Sequence, residues 1–170
     1  MDNMDYLDDI SGEFSARLRQ RQQLEALELS KEDAVDVIFS GRILASVGKE
    51  VELRLANGES LRGKIDRATE KWLWLRLVRM DILVQCAGIE LVQDLAGAPQ
   101  WANYLEKNLP FAAALRELWQ RGLEMTFTTC HHTVTGAVAR VGKDFVDVAD
   151  HGRNIAIPFP ALLYVACPRH

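Results

Sequence analysis

The chain has 170 residues, 48% hydrophobic and 26% charged, with a net charge of −4, a composition ordinary for a soluble globular protein. It lacks the strong basic excess of nucleic-acid binders, and its longest uncharged run, Ile155 to Pro168, falls short of the roughly 20 apolar residues of a membrane helix. Three cysteines, Cys86, Cys130 and Cys167, without C-x-x-C spacing argue against a disulfide framework, and an acidic beginning without a basic-then-apolar leader predicts a cytoplasmic protein.

Charge is uneven along the chain. Residues 1–40 hold ten acids against four bases, so the remainder carries a small positive excess. Residues 1–37 are read as an acidic segment, disordered over residues 1–12 and helical from Phe14 to Leu29. Arg17, Arg19 and Arg21 are flanked there by acids, as on a solvated mixed-charge helix. Ser40 then caps a short predicted helix, Gly41 to Val47, stopped by Gly48 in the left-handed conformation.

Val51, Leu53 and Leu55 alternate with Glu52 and Arg54, the period-two pattern of a half-buried strand. Asn57-Gly58 predicts a type I′ hairpin turn. Leu61, Gly63 and Ile65 mark the inward face of a second strand, with Gly63 at a sharp bend. Trp72 to Leu75, Ile82 to Val84 and Ile89 to Val92 read as third, fourth and fifth strands. Asp94 to Pro99 begins a linker, assigned to residues 96–108. Pro110 sits in the first turn of a second helix, predicted to run to about Arg121 and end at Gly122.

The pattern then returns. With Gly63 placed on Gly136, an offset of 73, Ile65 falls on Val138, Arg67 on Arg140, Trp72 on Phe145, Leu75 on Val148, Val84 on Ile157 and Val92 on Val165. Before the glycine an offset of 72 aligns Val51 with Leu123, Leu53 with Met125 and Leu55 with Phe127. The change falls in a hairpin turn, where insertions are tolerated. The sequence therefore predicts a duplication: one five-stranded unit with a leading helix over residues 38–95, and a second over 109–168.

The run Leu55-x-x-Gly58-x-x-Leu61-x-Gly63-x-Ile65 is similar to the first Sm motif, and Val134-x-Gly136-x-Val138 repeats its second part. Over residues 38–95 and 109–166 the chain resembles bacterial proteins built as tandem Sm-like barrels. The resemblance implies a mainly β fold with short helices, as two tandem Sm-like or SH3-like five-stranded barrels. It does not extend to the RNA site of Sm rings. The Asp-x-x-Met-Asn element is replaced by Thr69, Trp72 and Leu73, and by Gly142, Phe145 and Val146. The Arg-Gly-Asn triplet is replaced by Gln85-Cys86-Ala87 and Pro158-Phe159-Pro160.

Candidate sites are few. If Leu73 and Leu75 point inward, Trp74 and Arg76 point outward near Arg62 and Lys64. That surface is read either as an RNA-stacking platform flanked by cations or as an aromatic buried against the other barrel, a helix or a second subunit. Glu52, Asp66 and Glu70 are the acids that would break a positive patch there. Cys130, His131, His132 and His151 are metal-ligand types, but their spacing fits a polar turn better. Asp144, Asp147 and Asp150 read as solvated strand and loop acids. No nucleophile motif, P-loop or dinucleotide fingerprint occurs, so no catalytic residue and no cofactor is expected. The expected role is a non-enzymatic interaction or adaptor protein that binds a protein partner or itself, with RNA binding through Arg62, Lys64, Trp74 and Arg76 as the alternative.

Overall fold

The computed structural model describes residues 16–25, 38–97 and 108–169. The chain divides into two units, residues 1–37 and residues 38–170. In the first, residues 16–25 are helical (α1) and exposed, with Arg21 and Glu25 paired at 3.6 Å one turn apart. The expectation of disorder over residues 1–12, the ends of the predicted helix and most of the linker lie outside the described residues.

In the second unit, helix α2 spans Phe39–Ala45 and α3 spans Phe111–Trp119. Ten strands follow in two groups: β1 Glu50–Leu55, β2 Ser60–Ala68, β3 Trp72–Arg76, β4 Met80–Gln85 and β5 Ile89–Gln93 come after α2, and β6 Met125–Thr129, β7 Thr133–Val141, β8 Phe145–Asp150, β9 Arg153–Pro158 and β10 Leu162–Pro168 after α3. The predicted five-and-five division is present, and its phase is close. β2, β4 and the 3-10 turn Cys86–Gly88 each recur 73 residues later as β7, β9 and Phe159–Ala161. Even the β-bulge between Ile65 and Arg67 has its counterpart between Val138 and Arg140.

Local signals differ from expectation in three places. Ser40 lies inside α2, whose N-cap is Ile38 without a side-chain cap. The Ser46 hydroxyl instead donates to the Arg42 carbonyl at 2.8 Å. Only Gly58 is left-handed in the Asn57-Gly58 turn, so the type I′ geometry is not formed. Leu55 O accepts from Gly58 N, and the Asn57 side chain accepts from Glu59 N, as in a longer hairpin loop with one left-handed glycine. Helix α3 stops at Trp119 because Arg121 and Gly122 already bond to carbonyls three residues back, the tightened final turn of a helix. Gly48 and Gly122 are left-handed beyond both helices, as predicted for Gly48.

All strand pairings are antiparallel, in the order β5-β1-β2-β3-β4-β10-β6-β7-β8-β9. The pairing therefore makes one open ten-stranded sheet, not two separate closed ladders, because β4 pairs with β10. Each half nonetheless follows the same internal path. In both, the mid-strand glycine lies where an added side chain would strike the neighbouring strand. A Cβ on Gly63 would stand 2.8 Å from the Arg76 carbonyl oxygen and 2.9 Å from Leu77, and one on Gly136 would collide with the Ala149 carbonyl oxygen. Glycine lets the crossing strand approach to backbone contact.

The core divides into two clusters that exchange residues across the joint. Leu163 and Ala166 of β10 join the first-half cluster around Leu53, Ile65, Leu75 and Val84. Trp72, Trp74 and Leu83 join the second-half cluster around Phe111, Leu115, Phe127 and Val148. We expect Gly136→Ala to cost about 2–3 kcal/mol through overpacking against backbone. Gly97→Ala, where an added Cβ meets nothing within 4 Å, should change stability by less than about 0.5 kcal/mol; urea unfolding of the two variants measures both.

Candidate functional site

Trp74 is the first candidate to place, and it is only 2% exposed. The alternation that aims Leu73 and Leu75 inward also sends Trp74 to the opposite face. There the second half covers it, so β3 is buried on both faces. Arg67, its cross-strand neighbour, lies 4.7 Å over the indole centroid and Arg121 lies 5.6 Å away. Arg67 is itself tied to Glu117 of α3 at 2.7 Å. The adjacent Trp72 indole donates to the Leu109 carbonyl at 2.8 Å. An RNA base has no open face of Trp74 on which to stack in this arrangement. The indole Nε1 of Trp74 has no hydrogen-bond partner.

The same position in the second half is Asp147. It too is buried, contrary to the expectation of a solvated acid, and accepts two hydrogen bonds from Arg140 at 2.7 and 2.9 Å. Arg140 is the counterpart of Arg67. One cross-strand site thus holds a cation over an aromatic ring in the first half and a cation on a carboxylate in the second.

The three cations grouped with Trp74 remain near one another on β2 and β3. Lys64 and Arg76 are directly paired across the strands. Arg62 donates to Glu50 at 2.8 Å, and Arg76 meets Asp66 at 2.9 Å. Together with Arg79 they line an open cavity of about 550 Å³ whose apolar part is Leu77, Val78 and Met80. Arg76 also borders a second cavity, of about 330 Å³, with Asp81, Arg121 and Arg169. Asp81 is buried and accepts from Arg121 at 2.8 Å. Burial disfavours the Arg121 charge, but the hydrogen bond and charge of Asp81 more than offset it, and the Arg121 pKa is raised. Sequence reading missed Asp81, Arg121 and Arg169, which are far apart in the chain. The one available signal was the repeat itself, since Arg76 and Asp81 depart from Ala149 and Asn154 at the matching positions.

The metal candidates do not converge. Cys130, His131 and His132 are exposed at the β6–β7 turn, where Thr129 Oγ1 accepts from the backbone N–H of both histidines. His151 stands in the β8–β9 turn with a positive φ of 45°, 3.5 Å from Asp150. Among the described residues, no three His, Cys, Asp or Glu side chains are grouped to hold a metal ion.

The segments compared with the Sm RNA elements lie in strands and in the turns beside them. Thr69 is buried and its Oγ1 accepts from Lys71 N and Trp72 N at 3.1 Å each. Gln85 reaches across to the Phe159 carbonyl at 2.6 Å, and Phe159 packs edge-on against Phe111 at 5.1 Å. Burial pushes the Cys86 thiol up to about 12, which leaves it protonated at neutral pH. No helix among the described residues is long and apolar enough to cross a membrane.

Two outcomes follow for experiment. Trp74→Ala should cost about 4 kcal/mol by leaving a cavity between the halves. Trp74→Phe keeps the apolar body and removes the unpartnered N–H, and should cost no more than about 1.5 kcal/mol; chemical denaturation distinguishes the two. Alkylation of the native chain at pH 8, read by peptide mass spectrometry, should modify Cys130 and spare Cys86 and the buried Cys167, with all three labelled in denaturant.

A scan against protein-family models and a search of curated proteins return no match to this chain.

Proposed function

We propose that the protein is a non-catalytic assembly module. Two Sm-like small barrels, each closed by its strand bends and not by a hydrogen-bonded seam, are joined edge to edge within one chain and offer the same joint to a further copy. The carrying observation is that the internal joint pairs β4 with β10, while their counterparts, β9 and β5, stand at the two open ends of the sheet. The donor edge and the acceptor edge of one joint are thus both open, at opposite ends of the same chain.

Residue exposure supports the reading. Leu83 is buried in the joint, and Ala156, which takes its place on β9, is exposed. Leu91 on β5 is 45% exposed where its counterpart Tyr164 is partly buried. Phe39 of α2 is 47% exposed, whereas Phe111, at the matching place in α3, is 8% exposed. Transferring the joint's register to the open edges sets Ile157 opposite Leu91 and Ala156 opposite Val92, apolar against apolar. A head-to-tail contact of this kind is heterologous, and it closes into a ring or continues as a filament. Unpaired strand edges recruit by backbone hydrogen bonding.

Sedimentation velocity of the full chain over a wide concentration range tests this. The expected result is a concentration-dependent rise in mass that Ala156→Lys or Leu91→Lys suppresses, with the fold intact by circular dichroism. A chain that stays monomeric throughout, or an oligomer indifferent to both lysines, would overturn self-assembly; in the first case, a different protein bound at β5 or β9 becomes the reading to pursue.

A further inference from the structure

At the outer end of the β3–β4 hairpin three arginines surround one carboxylate. Asp81 Oδ2 accepts the 2.8 Å hydrogen bond from Arg121. Asp81 Oδ1 faces Nε of Arg76 and Nε of Arg169, each 3.6 Å away. That distance is beyond a hydrogen bond, and Oδ1 has no hydrogen-bond partner although the carboxylate is buried. A buried acceptor without a donor is costly. Here it borders the 330 Å³ cavity that the three arginines also line.

The guanidinium groups are held from behind. Arg76 meets Asp66 at 2.9 Å, and Arg169 donates to the Leu77 carbonyl at 3.0 Å. Each guanidinium carries five N–H donors in a rigid fork suited to oxyanions. The fold itself does not require the cluster. Arg76 and Asp81 are direct cross-strand partners in β3 and β4, and the second half closes the same hairpin with Ala149 opposite Asn154. Arg169, one repeat earlier, is Ala96.

We infer that this cavity binds a phosphate monoester as a protonated oxyanion, with Arg76, Arg121 and Arg169 holding its anionic oxygens and Asp81 Oδ1 accepting its P–OH. An oxyanion with acceptors only, such as sulfate, would set a lone pair against the Asp81 carboxylate. Monoesters have a second pKa near 6, so a form that carries both O⁻ and O–H exists near neutrality. The organic portion of the ligand has a place beside the phosphoryl group. The larger cavity shares the Arg76 wall and offers Leu77, Val78 and Met80, with Lys64 and Arg79 as further cations. This inference is independent of the edge-strand pairing.

Isothermal titration calorimetry of the full chain, in buffer free of both anions, supplies the test with inorganic phosphate and sulfate as probes. Phosphate should bind at least tenfold more tightly than sulfate. Asp81→Asn presents an amide that donates as well as accepts, and should reduce that preference to about none. Because Asp81→Asn also touches the joint, Arg169→Gln serves as the second variant. It should weaken phosphate binding at least tenfold while the ligand-free urea midpoint stays where it was. Equal affinity for the two anions, or phosphate affinity unchanged in Arg169→Gln, overturns the inference. Displacement of phosphate by a nucleoside monophosphate identifies a free small molecule as the source of the phosphoryl group. Displacement only by a 5′-phosphorylated oligoribonucleotide, and not by its 5′-hydroxyl form, identifies a strand end.

Discussion

The backbone ladder between β4 and β10 is the contact on which the rest of the architecture depends. It joins residues Met80 to Val84 with Tyr164 to Pro168 in unbroken register, and it converts two similar halves into one sheet. Because the ladder brings α3 and the second half over β3, Trp72 and Trp74 lose their solvent face and become core residues of the neighbouring half. In return, Leu163 and Ala166 serve the first-half core. Burial on both faces of β3 is a property of the joint, and neither half would produce it alone. Removing apolar area of this kind from water is the main favourable term in folding, so the joint and the cores form a single cooperative object.

The duplication is therefore a repeat of path and not of environment. Arg67 and Arg140 occupy the same rung next to the same bulge, but one faces an indole and the other a carboxylate. The difference follows from what lies outside. In the first half a helix and a strand arrive, and the large apolar ring fills the space beneath them. In the second half the arginine itself covers the acid, with its side chain largely exposed above the buried Asp147. The same reasoning applies at the hairpin ends, where Arg76 and Asp81 meet two arginines contributed by the second half.

The sequence was most informative where a signal was local and periodic. Alternation in Val51 to Leu55, the inward glycine at position 63 with its echo at 136, and the 73-residue spacing all survive in the structure, because a half-buried strand writes its inward face into every second residue. The outward faces were only partly legible, since burial of Trp74 against the other half was one of two readings open. Trp74 sits at an outward position by parity, and only the arrival of the other half buries it. The buried pairing of Asp147 with Arg140 escaped for a similar reason, since parity places the acid outward and says nothing of the arginine that closes over it. The arginine cluster was hidden more deeply: Arg76, Asp81, Arg121 and Arg169 belong to separate elements, and no spacing rule joins them. The Asn57-Gly58 turn shows a smaller limit, because the dipeptide admits more than one loop and the flanking bonds of Leu55 and Glu59 decided which formed.

One small feature at the open end of the sheet has a thermodynamic consequence. Asp94, directly after β5, holds a positive φ of 64°, a conformation that costs an L-residue roughly 1–2 kcal/mol and turns the chain out of the strand direction. Its counterpart Cys167 continues in the ladder opposite Asp81. A strand docking on β5 would therefore find a shorter track than the β4–β10 ladder supplies, and, coming from a separate chain, it would be held by mass action and released on dilution.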